Sequence, residues 1–429
     1  MKRIILLLGV LLLTKAAFAA DGDLPQTLAE LNHWYAEPPA GSNAATKFLE
    51  GIATLKITDA DRNSADLPLI GKGKLPQPDK PVPPEMEAAM AELVQRNQSA
   101  FHIFDQTARL QQSRYPIDLN QGYMILLPHL LKMKNAARIM EISSVSHAVA
   151  GQGREAGDAL LVSLAMARSL ESEPVLISQL VRVALVSMTV SGLEQVLNRV
   201  VLPAQTLDRL EESFRQSEKL EAAGFGFTRA FVGERMSDLS AFEMSPEQYL
   251  TVPDNATPEE RERLEAKIKK NLTEDRQYCG ATFDQALAVR NQPFPRRLSQ
   301  DMFSQAAAVA TNRNLYLSSV FFAALNNVAS KEAGSLANLR LAQTAIALEK
   351  FRFAHANRFP DSLGELAPNY MNAVPEDPFD GRSLRYHKMG RGYVLYSIGR
   401  NLKDGGGKPG IGREGDIVFS VVNPLSNHP

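Results

Sequence analysis

The sequence predicts a mainly α-helical protein: stacked helical hairpins, as a bundle or short α-solenoid, followed by a small C-terminal α+β module of one helix and a three-stranded antiparallel sheet. Three observations carry this. Apolar residues recur at three and four positions from Glu85 to about Arg290, the period of an amphipathic helix. Near the C-terminus the period changes to two, with Leu384, Tyr386 and Lys388 on one side of Gly390-Arg391-Gly392 and Val394, Tyr396 and Ile398 on the other, which is a hairpin pattern. The 27 glycines and 25 prolines gather between these segments instead of within them, as breakers do.

The chain opens with Lys2 and Arg3, the apolar run Ile4 to Leu13, and Ala17-Phe18-Ala19. This order of cationic, apolar and small residues reads as a secretory signal peptide over residues 1–20. Its apolar run is well short of the roughly 20 residues that span a bilayer. Cleavage after Ala20 removes three cations and no acid, taking the formal charge from −1 to −4. The longest later apolar stretch is read at Leu315 to Leu325, interrupted by polar residues, so the expected product is a soluble periplasmic or otherwise exported protein. Balanced charge, 47 Lys and Arg against 48 Asp and Glu, gives no sign of a nucleic-acid partner. One cysteine, Cys279, excludes an internal disulfide or a multi-thiolate metal site and reads as a buried small hydrophobe.

Residues 21–84 form an N-terminal unit. Leu28, Leu31, Trp34 and Tyr35 share a helical face, and Pro68, Pro76, Pro78, Pro81, Pro83 and Pro84 make an extended segment, a linker or a strap across the next domain, that cannot enter a helix. Residues 85–334 are the helical domain. Its stripes include Leu130, Met133, Ala137 and Met140; Leu160, Leu164 and Ala167; Leu176, Leu180 and Val183; and Leu207, Leu210 and Phe214. Breaks fall at Gly151-Gln152-Gly153, at Pro174, placed just inside the next helix, and at Pro203. Ser245-Pro246-Glu247-Gln248 and Thr257-Pro258-Glu259-Glu260 read as capping boxes. The unit from Ala148 to Leu170 is loosely similar to a tetratricopeptide pair, although no 34-residue period recurs. Residues 335–429 are the third unit: a helix from Leu336 to Asn357, the hairpin, and a short strand at Ile417-Val418-Phe419.

Leu348-Glu349-Lys350-Phe351, Asn357-Arg358-Phe359-Pro360, Asp377-Pro378-Phe379 and Tyr393 to Gly399 stand in an order that resembles the globular part of type II secretion major pseudopilins. The likeness covers about residues 336–420. It implies a helix leading into a three-stranded sheet and a calcium loop from Gly399 to Asp416. In that loop Asn401 stands where the family usually has Asp, and Asp404, Glu414 and Asp416 are the carboxylates. A glycine-rich loop can turn carbonyls inward for a hard cation that needs six to eight oxygens at about 2.3–2.6 Å. The basic leader and long apolar N-terminal helix of pseudopilins are missing, so polymerisation as a pilus subunit is not expected. Across its whole length the layout is similar to exported helical proteins of planctomycete and verrucomicrobial type, on the stretch Ala167 to Arg182.

No catalytic motif stands out. The seven histidines have no metal spacing. Ser143 to His147 lies in a helical run without a Gly-x-Ser-x-Gly elbow and reads as polar helix surface. Gly151 to Gly157 follows a helix instead of a strand, so it is a turn and not a dinucleotide loop. The charges from Glu262 to Lys270 read as a solvated helix face. The expected function is therefore that of an exported, non-enzymatic interaction or structural protein with a protein or peptide partner and a calcium-binding terminal loop. The alternatives are an accessory part of a secretion or envelope assembly, and a periplasmic enzyme without a recognisable motif.

Overall fold

A computed structural model of the chain describes residues 24–249, 257–299, 302–410 and 415–422. Residues 1–20, read from the sequence as a signal peptide, and Glu414 lie outside the described residues. The helices expected from periodicity form: α1 (Leu28–Trp34), α2 (Ala44–Ala53), α3 (Asp59–Asn63), α4 (Pro84–Arg96), α5 (Gln98–Thr107), α6 (His129–Val149), α7 (Gly153–Arg168), α8 (Leu176–Leu197), α9 (Ala204–Ala222) and α10 (Phe225–Ala241). After them come α11 (Pro258–Ala288), α12 (Phe303–Asn312), α13 (Tyr316–Ala324) and the long α14 (Val328–Ala354). Strands β1 (Arg385–Met389), β2 (Gly392–Ser397) and β3 (Ile417–Val421) make one antiparallel sheet in that order.

Every stripe residue of α6, α7 and α9 named from the sequence is buried. Helices α6, α7 and α8 each touch the other two, α9 lies on α7, and α14 returns across α8 and α9. The Gly151 break is a left-handed residue at φ +74 between α6 and α7, where glycine carries no steric penalty. Thr257 and Glu260 close the reciprocal capping box that starts α11, while at Ser245 the amide donates to the Gln248 side chain at 3.0 Å. Residues 74–83 act as the expected strap: Gln195 and Arg199 at the end of α8 donate to the carbonyls of Pro76, Gln77 and Lys80.

Four expectations are revised. Pro174 does not enter its helix; α8 begins at Leu176 with Val175 extended at the N-cap, because a residue before proline is driven out of the helical region and the turn completes only afterwards. The apolar stretch that matters is α8, not 315–325: α8 is long and apolar enough to cross a membrane. It also carries the buried Gln179 and Arg182 and packs among other helices, which is the setting of a core helix. Ser143, Ser144 and Ser146 are buried instead of lining a polar surface; small side chains let α6 approach its neighbours, and Ser144 returns its hydroxyl to the Glu141 carbonyl at 2.8 Å. Finally, α14 starts at Val328, so residue 335 falls inside it.

The C-terminal sheet rests on α8 and α14. Glu194 accepts from the Ser420 amide at 2.7 Å and its hydroxyl at 2.9 Å, and Asn198 bonds the backbone at Ser420 and Val422. One apolar cluster accordingly runs from Leu31 to Val421. Beside it, buried charges tie α8, α9 and α14 together: Arg182 pairs with Glu221, and both Arg290 and Arg297 pair with Glu332.

Candidate functional site

The three described calcium candidates share the terminal loop, but their oxygens receive protein donors. Asn401 Oδ1 accepts the Lys403 amide at 3.1 Å. Asp404 accepts the Gly406 amide at 2.9 Å and the Tyr396 hydroxyl at 3.0 Å, and these bonds hold its carboxyl below the ordinary range. Asp416 is buried and accepts the amides of Gly405 at 3.1 Å and Gly407 at 2.8 Å. The loop is thus folded around its own carboxylates. Among the described residues no group of three or more His, Cys, Asp or Glu side chains is placed to hold a metal ion.

A different feature has the character of a binding site. A cavity of about 330 Å³ opens between α1, the 3-10 segment Leu119–Met124, the start of α8 and the middle of α10, within the size range of small-ligand pockets. Leu28 and Leu31 of α1, Leu119, and Leu176 and Leu180 of α8 supply apolar walls. Two glycines let these pieces meet. At Gly122, φ is +50 and an added Cβ would lie 2.2 Å from Ser240 Oγ; at Gly233 it would lie 1.7 Å from the Pro174 carbonyl oxygen. Any side chain there would push the 3-10 segment or the Pro174 turn off α10.

Glu234 and Asp238, four residues apart on α10, share the face that lines the cavity. Glu234 Oε1 accepts the Leu176 amide at 2.7 Å, which supplies from outside the cap that Val175 lacks. Asp238 is only 5% exposed, and among the described residues no hydrogen bond or ion pair reaches its carboxyl. Burial pushes Asp238 well above the ordinary carboxyl range, and the neighbouring Glu234 adds to it. Burial also raises Glu234, opposed by the Leu176 amide. The Asp238 oxygens are not sealed within the core but open onto the cavity that the residue lines. At the mouth, Tyr123 and Ile177 are 38% and 48% exposed, with Met124 and Leu126 also facing solvent.

Other buried polar groups lie within the core, some paired and some, such as Glu349 Oε1 and the Tyr393 hydroxyl, without a hydrogen-bond partner. Glu173 pairs with His129 at 3.0 Å and accepts from Tyr35 and Ser178, and Tyr115 stacks on His129 at 4.3 Å. Burial pushes Glu141 and Glu171 up to about 7; Arg182 partly offsets this at Glu171. Cys279 is a buried thiol, raised by burial. Two larger openings of about 410 Å³ carry surface ion pairs such as Arg209 with Asp158 and Lys388 with Asp361.

Nothing in the sequence singles out Glu234 and Asp238, since charged residues within Gly233-Glu234-Arg235-Met236-Ser237-Asp238 look like a solvated face. The available signal was the pair Gly226 and Gly233, two helical turns apart, which marks a face of close approach. No family model, curated protein or solved structure matches the chain. The case for function therefore rests on the geometry of this cavity.

Proposed function

We propose that the chain is an exported, non-enzymatic binding protein that receives a segment of a protein or peptide partner at the mouth of the Glu234–Asp238 cavity. The observation that carries this reading is Asp238, buried without a partner in the wall of a cavity with leucine-rich walls and exposed apolar side chains around its entrance. Exposed apolar clusters around a pocket are the usual mark of an interaction site. On an array of short peptides, the protein is expected to retain apolar sequences, and Ile177→Glu, which places a charge in the mouth, to retain them at least tenfold less. Equal retention by the two proteins removes the reading.

The enzyme alternative draws on the same carboxyl pair, whose raised affinities for protons resemble those of an acid–base couple. Among the described lining residues there is no His, Lys, Arg or Cys, and Ser237 and Tyr123 are the only hydroxyl-bearing side chains. A reaction would thus lack groups to orient a polar substrate, which favours binding over turnover. The accessory role in a secretion or envelope assembly rests on the pseudopilin-like order of residues 336–420.

Calcium is proposed for the Gly399–Asp416 loop on that resemblance. An ion bound only by the folded chain raises the melting temperature by linkage. Melting in millimolar calcium is therefore expected above melting in chelator, and superimposable curves eliminate this part.

A further inference from the structure

We propose that Asp238 is the anchor for an ammonium group carried on an apolar stem, either a lysine side chain of a bound peptide or a free aliphatic amine. This rests on the cavity being the binding site. Glu234 is already occupied by the Leu176 amide, so Asp238 is the carboxyl left for a ligand. A chain of methylenes matches the leucine walls, and the charge at its end meets the acid that the fold leaves unanswered. Burying a carboxylate against a cation in an apolar site replaces the missing partner, and charge-assisted bonds are the stronger class.

The groups around Asp238 set the proton balance. Glu234 faces it from its own helix, the Tyr123 hydroxyl from the 3-10 segment and the Cys279 thiol from α11. Arg235, the nearby cation of α10, is engaged by Asp284 at 2.8 Å. Helix α1 brings only Leu28 and Leu31 to the cavity, and α8 brings apolar side chains and the Leu176 amide. Burial and the neighbouring Glu234 disfavour charge on the free carboxyl, and Arg235 is already engaged. Binding an ammonium ion favours the carboxylate, which takes up the N–H bonds while any proton held by the free carboxyl goes to solvent. Affinity rises with pH, by up to about tenfold per unit for one proton released, until the amine itself loses its proton near pH 10.

The test is calorimetric titration of the full chain with hexylammonium, hexan-1-ol and hexanoate at pH 7 and 8, in two buffers of different ionisation enthalpy. Hexylammonium is expected to bind at least tenfold more tightly than hexanol, hexanoate not to bind, and binding to be accompanied by proton release. In Asp238→Asn, whose folding is checked by its melting curve, the preference for ammonium disappears. The arms separate the two sources of ligand: a retained peptide whose Lys→Met version loses tenfold supports the side chain, and hexylammonium binding without peptide retention supports a free amine and refutes the peptide reading. Peptide retention indifferent to Lys→Met, with hexanol equal to hexylammonium, overturns the ammonium anchor and leaves the binding reading standing. No binding by any probe overturns both.

Discussion

Glu332→Gln is expected to lower stability by about 3–5 kcal/mol, the range for breaking a buried ion pair by removing one partner. Glu332 has no solvent exposure, and its Oε1 accepts from Arg290 at 2.7 Å and Arg297 at 2.6 Å, both themselves buried. The guanidinium groups lie over Phe231 and Phe294, which cover them but cannot neutralise them. Arginine keeps its charge in proteins, so it cannot escape by losing a proton. Two uncompensated cations would then face each other beneath α14. The effect extends beyond one contact, because Arg297 also bonds the Gln292 and Ala222 carbonyls, so the start of α14 is held to the end of α9 through this side chain. Urea unfolding at pH 7 measures the loss. A triple variant, Glu332→Leu with Arg290→Met and Arg297→Met, is expected to recover most of it, since apolar replacement of a whole buried cluster is near neutral. A loss below about 1 kcal/mol in Glu332→Gln would mean that the arginines find other partners.

This charge cluster marks where the sequence stops being legible. The stripes of α6, α7 and α9, the Gly151 and Pro203 breaks and the period-two hairpin each state their structure locally, because one face meets the core at the helix or strand period. Residues 328–335 do not. Their buried side is made of Val328, Ala329, Glu332, Ala333 and Ser335, in which charged and hydroxyl side chains interrupt the apolar ones, and Glu332 meets arginines about 40 residues earlier in the chain. The start of α14 was therefore read eight residues late. The same reasoning covers the site. Asp238 looks like a surface acid until Gly122 and Gly233 bring walls from α1, the 3-10 segment and α8 against α10. Its chemistry belongs to the tertiary arrangement. The calcium candidates show the converse: Asp404 and Asp416 were found from the sequence, while the glycine amides that claim their oxygens emerge only in the fold.

Asp238→Leu is expected to stabilise the protein, by an amount that grows with pH, while removing its ligand. Burial raises the Asp238 carboxyl above its unfolded value, so the folded chain binds a proton that the unfolded chain, with a carboxyl near pKa 3.9, has given up. The contribution of such a group is fully present below about pH 4 and is lost as pH rises toward the folded pKa. Above the unfolded value the buried carboxyl therefore carries a cost in stability that grows with pH. Leucine removes that cost, and the adjoining cavity of about 330 Å³ gives its methyl groups room without overpacking. Glu234 keeps its bond to the Leu176 amide, so the start of α8 stays capped. Urea unfolding at pH 4 and pH 7 should therefore show the smaller gain at the lower pH and the larger at the higher. A gain independent of pH would show that Asp238 is ionised and partnered in the free protein, which would also remove the basis for an ammonium ligand. A pH-dependent gain joined to loss of hexylammonium binding would identify Asp238 as a residue kept at the expense of stability, which is what a binding site imposes on a fold.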